Sequence, residues 1–176
     1  DKNMKLKNLI FCIAISAICM VMPLEKVCAQ NMPTLKNGTE APEITACDTL
    51  GKEHHLSDFR GKYVVVDFWA SWCGDCRREF PAVKSLYATY HPKGVEFVSV
   101  SFDHKAESWK SCLRKEQFAW LHISTLQPWK ANPISESYEL KWIPTLYIVD
   151  PDGKICGSAV TCEELAKKLD KIVSAK

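Results

Sequence analysis

The chain has 176 residues, of which 47% are hydrophobic and 25% are charged. A chain of this length can bury a complete core without metal or disulfide cross-links, and the composition is that of an ordinary soluble domain. The formal net charge is only +2 and no long run of lysine or arginine occurs, which argues against a nucleic-acid partner.

The first 29 residues have the pattern of an export signal. Three lysines precede an uncharged run at 9–24, and Val27-Cys28-Ala29 offers a small-residue cleavage site. A retained membrane anchor is the alternative, but the run is shorter than the roughly 20 residues of a spanning helix. We therefore predict a cleaved signal peptide at 1–29, and export to the periplasm or the extracytoplasmic face of the membrane.

A polar segment and a small hairpin are predicted next. Residues 30–42 are polar and contain prolines and a glycine, so we predict a linker, followed by one folded domain at 43–176. Two short runs, Ile44–Cys47 and Glu53–Leu56, flank a turn at 49–52 and predict a β-hairpin.

Three apolar runs rich in β-branched residues predict strands that are buried on both faces. They are Tyr63–Ala70, Val95–Val100 and Thr145–Val149. A turn at Pro151-Asp152-Gly153 leads into a further strand at 154–158.

Helices are predicted between these strands, where apolar residues recur at helical spacing. They cover 76–90, 105–118, a short insert at 134–140, and a last helix that a capping box at 161–164 opens. Residues 119–132 are ambiguous between a short strand and a loop. Strands that alternate with helices predict an α/β fold, with a mixed sheet flanked by helices and an N-terminal hairpin extension.

Cys73 and Cys76 form a Cys-x-x-Cys motif directly after a buried strand and at the start of a helix. Unpaired backbone N–H groups and the helix dipole stabilise a thiolate there, so Cys73 is the predicted nucleophile. Cys76 lies one turn deeper, where it can attack the mixed disulfide that Cys73 forms. This context is typical of a redox site.

Other chemistries fit the motif less well. A zinc site normally needs a second Cys or Cys/His pair, and a covalent haem site needs His at position 77, which is Arg. A peroxiredoxin-like peroxidase and a copper-binding chaperone of related fold remain as alternatives, although both use a different cysteine arrangement. We expect no cofactor and no metal.

The segment at 66–76, Val-Asp-Phe-Trp-Ala-Ser-Trp-Cys-Gly-Asp-Cys, resembles the active site of thioredoxin. The segments at 77–81 and 142–145 resemble the exported TlpA/ResA-type branch of that superfamily. The resemblance spans about 41–173. It implies a thioredoxin-like reductant of disulfide-containing exported proteins, supplied with electrons by a membrane thiol donor, and we expect a monomer.

The resemblance also implies roles for residues around the cysteine pair. Pro144 is expected to have a cis peptide bond beside the pair, and Ile143 to offer its backbone to the substrate chain. Trp72, Gly74 and Asp75 are expected to contact the substrate. Asp75 departs from the family, in which proline is common at that position.

Asp67 is the one charged residue in its apolar strand, and it matches the family's buried acid. Burial should raise its pKa, which suits a proton acceptor for Cys76. Asp75 should disfavour the Cys73 thiolate and make the couple more reducing by a few tens of millivolts. We expect a potential nearer thioredoxin (about −270 mV) than DsbA (about −120 mV).

The remaining cysteines of the predicted domain have no evident redox partner. Cys112 falls on the inward face of a predicted helix, where a free cysteine is often a small buried hydrophobe. A bridge between Cys156 and Cys162 is an open alternative, because spacing alone does not determine connectivity. Cys47 is left without an assigned role.

Overall fold

The computed structural model describes residues 35–174, and the predicted signal peptide at 1–29 lies outside them. Within the described range, no helix combines the length and the hydropathy that crossing a membrane would require.

Seven strands of the described chain form one mixed sheet, ordered β2-β1-β5-β4-β3-β6-β7. The strands are β1 (Thr45–Cys47), β2 (Glu53–His55), β3 (Tyr63–Trp69), β4 (Val95–Ser101), β5 (Leu121–Ser124), β6 (Thr145–Val149) and β7 (Ile155–Ala159). β3 pairs in parallel with β4, and β4 with β5, whereas β6 and β7 run antiparallel to their neighbours. Strand β3 lies between β4 and β6, and all of its residues after Tyr63 are buried.

Helices cover both faces of the sheet. They are α1 (Gly74–Tyr90), α2 (Ala106–Glu116), α3 (Pro133–Ser137) and α4 (Cys162–Ser174). Successive side chains of a strand point to opposite faces. On one face, Val65 of β3 packs with Val83 of α1 and with Leu165 of α4. On the other, Val66 packs in a cluster that contains Trp109 of α2 and Ile134 of α3.

The predicted α/β fold, including the hairpin extension and the helical insert, is confirmed. The ambiguous segment at 119–132 contains β5 and a 3-10 turn at Trp129–Ala131. The insert helix ends at Ser137 rather than at residue 140, and Glu139 takes a positive φ of 50° just beyond it.

The linker prediction is wrong for the described part of that segment. Gly38 and Ala41 donate their N–H groups to the carbonyls of Ile155 and Gly153, over 2.7 and 2.9 Å. Ile155 in turn donates to the carbonyl of Thr39. Residues 38–41 thus pair with residues 153–155, at the start of β7. A backbone can pair in this way whatever the polarity of its side chains.

Candidate active site

Cys73 lies where β3 turns into α1. Its N–H donates to the Ala70 carbonyl over 3.1 Å, closing a turn, and its extended backbone makes it the N-cap of α1. The Cys73 Sγ accepts the N–H of Cys76 over 3.0 Å. A sulfur in this position is stabilised as an anion by the free N–H groups and the positive end of the helix dipole.

Cys73 and Cys76 are joined by a disulfide, and their Cα atoms are 5.3 Å apart. The Cys73 Sγ also lies 3.6 Å from the carbonyl oxygen of Ile143. The sulfur of a disulfide has no hydrogen, so this is a contact in the oxidised protein. It becomes a possible S–H···O hydrogen bond when the pair is reduced.

The chain segment before β6 packs against the disulfide. The Ile143–Pro144 peptide bond is cis, as the resemblance implied. Because β6 runs antiparallel to β3, with Thr145 opposite Phe68, its first residues lie at the edge of the sheet where β3 ends. This topology brings Ile143 to Cys73 from 70 positions further along the chain.

A shallow groove borders the site, with a cavity volume of about 350 Å³. Asp75, Arg78, Glu79, Trp142, Pro144, Val160 and Thr161 line it. Two large aromatic side chains remain open to solvent here, since Trp142 is 41% exposed and Trp72, directly before Cys73, is 53% exposed. The site therefore offers apolar surface to a partner chain.

Asp75 forms an ion pair with Arg78, one turn further along α1. The guanidinium therefore compensates much of the negative charge that was expected to act on Cys73. Gly74 lies beside the same arginine, whose nearest atom would be 3.8 Å from an added Cβ. That is an ordinary contact, so this position does not require glycine.

Asp67 is buried on the face of β3 that α1 and α4 cover. Burial raises the pKa of Asp67 to about 7. A hydrogen bond from Ser99 Oγ to Asp67 Oδ2, 3.0 Å long, opposes this rise, and the charge of Glu79 adds to it. The carboxyl group can therefore change its protonation state near neutral pH.

Glu79 lies in the segment at 77–81, but no role was predicted for it. In the structure it lines the groove, and its charge acts on Asp67. Its Oε2 accepts the N–H of Cys162 over 2.9 Å, and its side chain lines the groove. Burial and the Glu79 carboxylate raise the pKa of the Cys162 thiol. Glu79 follows Cys76 by three residues, so helical spacing could have placed both on one face of α1.

Asp103 is a second residue without a predicted role. Buried just after β4, it accepts the Ser71 N–H over 2.9 Å and the Ser71 hydroxyl over 2.6 Å. It also accepts the Ser101 hydroxyl over 2.7 Å. These bonds anchor the loop that carries Trp72 and Cys73. No local signal pointed to Asp103, because it lies 30 residues beyond Cys73 in the chain.

The other described cysteines are free thiols, so the bridge between Cys156 and Cys162 is absent from this structure. Burial raises the pKa of Cys112 and of Cys156, the latter to about 11. Among residues 35–174, no three His, Cys, Asp or Glu side chains are grouped so that they could hold a metal ion.

Comparison with known proteins places these features in a family. Residues 37–157 match the AhpC/TSA family. The chain is 32% identical over 138 residues to the thiol–disulfide oxidoreductase ResA of Bacillus thuringiensis subsp. konkukian, covering 77% of this chain and 78% of that protein.

Solved structures agree. The thioredoxin domain of a thiol–disulfide oxidoreductase from Bacteroides vulgatus matches with a TM-score of 0.73 and 35% identity, over 80% of this chain and 99% of that one. A thiol:disulfide interchange protein from Bacteroides sp. matches with a TM-score of 0.72 and 35% identity, over 80% of this chain and 91% of that one.

Proposed function

The chain belongs to the AhpC/TSA family and is a thioredoxin-like thiol–disulfide oxidoreductase, and on this premise we propose that it reduces exported proteins through Cys73 and Cys76. Disulfide-containing proteins are the substrate class that this family implies. The observation that carries the proposal is the position of Cys73 as N-cap of α1, bonded to Cys76.

The reaction starts from the reduced pair. The Cys73 thiolate attacks one sulfur of the substrate disulfide, forming a Cys73–substrate bond and releasing the other substrate sulfur as a thiolate. Cys76 then attacks the Cys73 sulfur, which releases the second substrate thiolate and forms the Cys73–Cys76 disulfide. Two electrons pass from the protein to the substrate, so an external dithiol must reduce the pair again.

Asp67 is the proposed acceptor of the Cys76 proton in the second step. A thiol must lose its proton to become a nucleophile, and a general base works best when its pKa lies near the working pH. The pKa of Asp67, raised to about 7 by burial, meets this condition. Glu79, which lines the groove, offers a place through which the proton can return to solvent.

Substrate binding is proposed to use the surface around the disulfide. An extended substrate segment can pair with the backbone of Ile143 as an added strand. Pro144 and Asp75 line the adjoining groove, and Trp72 with Gly74 borders Cys73. The close Cys73–Cys76 pair argues against the peroxidase alternative, which requires an isolated reactive cysteine.

Export and the direction of electron flow belong to the same proposal. The lysine-rich start, the uncharged run at 9–24 and the small-residue site at 27–29 support an exported protein, whose electrons come from a membrane thiol donor. We expect a reduction potential nearer that of thioredoxin (about −270 mV) than that of DsbA (about −120 mV). A glutathione titration that gives a value above about −150 mV would identify an oxidase instead.

Trapping tests the assignment of the two cysteines. Cys76→Ser should accumulate a mixed disulfide with insulin, whose disulfides serve as the substrate, because the second step is blocked. Peptide mapping should place the adduct on Cys73. The double variant Cys73→Ser/Cys76→Ser, which keeps the other thiols, is the matched control. An adduct on another cysteine, or equal trapping by the control, would refute the assignment.

A further inference from the structure

Three polar side chains form a row across neighbouring strands of the sheet. Asp67 of β3 is in register with Ser99 of β4, and Ser99 is in register with His122 of β5. All three are buried. The indole of Trp120, two residues before His122, reaches into the same row and contacts Ser99.

The hydrogen bonds in this row have a defined direction. Trp120 Nε1 lies 2.9 Å from Ser99 Oγ, and an indole N–H can only donate. Ser99 Oγ is therefore the acceptor in that bond, and its own hydrogen is available for Asp67 Oδ2, 3.0 Å away. A hydroxyl that donates to a carboxyl oxygen stabilises the charged carboxylate.

We infer that Ser99 and Trp120 are positioning residues that hold Asp67 as a carboxylate aimed to receive a proton. The inference rests on the proposed role of Asp67 as proton acceptor for Cys76. Trp120 acts on Asp67 indirectly. It fixes and polarises the Ser99 hydroxyl, since linked hydrogen bonds strengthen one another.

The other titratable groups on this face do not supply that stabilisation. Glu79 of α1 carries a charge of the same sign and raises the pKa of Asp67. Burial and Glu79 raise the pKa of the Cys162 thiol of α4, which is neutral at pH 7. Burial lowers the pKa of His122 to about 3, so its ring is neutral. Cys76 of α1 is the thiol whose proton Asp67 receives.

Trp120 is held in place by its neighbours. Its ring centroid lies 4.9 Å from that of Phe118 and 5.0 Å from that of Tyr87. This packing fixes the direction of the indole N–H and covers the Ser99 hydroxyl. The aromatic cluster therefore connects to Asp67 through two hydrogen bonds.

A direct titration tests the inference. The γ-carboxyl carbon of Asp67 is followed by ¹³C NMR from pH 4 to 9 in the oxidised protein, where Cys76 has no proton to lose. The carboxyl signal that is missing from the spectrum of Asp67→Asn is assigned to Asp67. A hydrogen bond to a charged group corresponds to roughly one pKa unit or more, so Ser99→Ala should raise the Asp67 midpoint by about one pH unit.

Trp120→Phe should raise the midpoint by a smaller amount, and Ser99→Thr, which keeps the hydroxyl, should restore the wild-type value. Trp109→Phe is the matched control, because the Nε1 of this buried tryptophan has no hydrogen-bond partner in the described part of the chain. An unchanged midpoint in Ser99→Ala or in Trp120→Phe, or an equal shift in Trp109→Phe, would overturn the inference.

The rate of mixed-disulfide resolution separates this inference from the proposed function. In Ser99→Ala, the pH at which this rate is half-maximal should rise together with the titration midpoint of Asp67. If the midpoint moves and the rate profile does not, the positioning of Asp67 stands and its role as proton acceptor is refuted.

Discussion

Asp67 costs the folded protein free energy whenever it is charged. Its pKa rises from 3.8 to about 7, chiefly through burial. Between these values the folded chain binds a proton that the unfolded chain has already lost. Stability therefore falls as pH rises from about 4 to 7 and stays at the lower level above that range. The interval corresponds to roughly 4 kcal/mol.

Asp67→Asn should remove this pH dependence. The variant should be more stable than wild type at pH 8, and its advantage should shrink steadily towards pH 4, where the wild-type carboxyl is neutral in the folded chain and about half of it is neutral in the unfolded chain. Burying the amide offsets part of the gain, so the difference at pH 8 stays below about 4 kcal/mol. Urea denaturation of both oxidised proteins at pH 4, 6 and 8 measures it. The same change of the free energy of unfolding with pH in both proteins would contradict the prediction.

The ion pair between Asp75 and Arg78 corrects the electrostatic expectation for the cysteine pair. Asp75 alone was expected to make the couple more reducing, but Arg78 compensates its charge. Arg78→Gln should expose that effect and lower the potential, by up to about 20 mV because the pair is exposed to solvent.

Glutathione titrations of Asp75→Asn, Arg78→Gln and the double variant measure the effect. The double variant should return close to the wild-type potential, since it lacks both charges. An Arg78→Gln potential more oxidising than that of wild type would show that the pair does not act in this way.

At the residue scale, the sequence located the groups that lie in one contiguous motif. Cys73, Cys76 and Asp67 occur within ten positions, and each has a chemical reason to stand out from its neighbours. Ser99 and Trp120 have none, because a serine in a strand and a tryptophan near one are ordinary. Ser99 meets Asp67 through the register between β3 and β4, and Trp120 meets Ser99 through the pairing of β4 with β5. Local patterns reveal neither register.

At the scale of elements, apolar runs predicted the central strands well, because strands buried on both faces must be apolar throughout. The segment at 38–42 was predicted as a linker because it has no such apolar run. It is held by backbone hydrogen bonds to Gly153 and Ile155 and by the Tyr138 hydroxyl, which donates to the Pro42 carbonyl over 2.8 Å. None of these contacts requires an apolar pattern in the segment itself.

Tyr138→Phe tests how firmly this segment is attached. The hydroxyl joins a fully buried ring to Pro42, so its removal should lower the free energy of unfolding by about 1 kcal/mol. It should also speed hydrogen exchange of the Ala41 amide. Tyr87→Phe, on the opposite face of the sheet, is the control. Equal effects of the two changes on Ala41 exchange would show that the Tyr138 hydroxyl does not secure the segment.

At the scale of the whole molecule, the order of the strands assembles the site. Parallel pairing of β3 with β4 brings Asp103 beside the loop that carries Cys73, and antiparallel pairing of β6 brings Ile143 to the same edge. Resemblance to a known family predicted the Pro144 contact, whereas periodicity alone would have left that segment as an ordinary strand entry.

The central claim is that Cys73 is the nucleophile of the pair, and competitive alkylation tests it most directly. The reduced protein is treated with substoichiometric iodoacetamide at pH 7, and the modified cysteines are quantified by peptide mapping. Cys73 should react faster than Cys76, because its sulfur caps α1. It should also outpace Cys112, Cys156 and Cys162, whose pKa values burial raises. Alkylation of Cys76 at a rate equal to or above that of Cys73 would contradict the account.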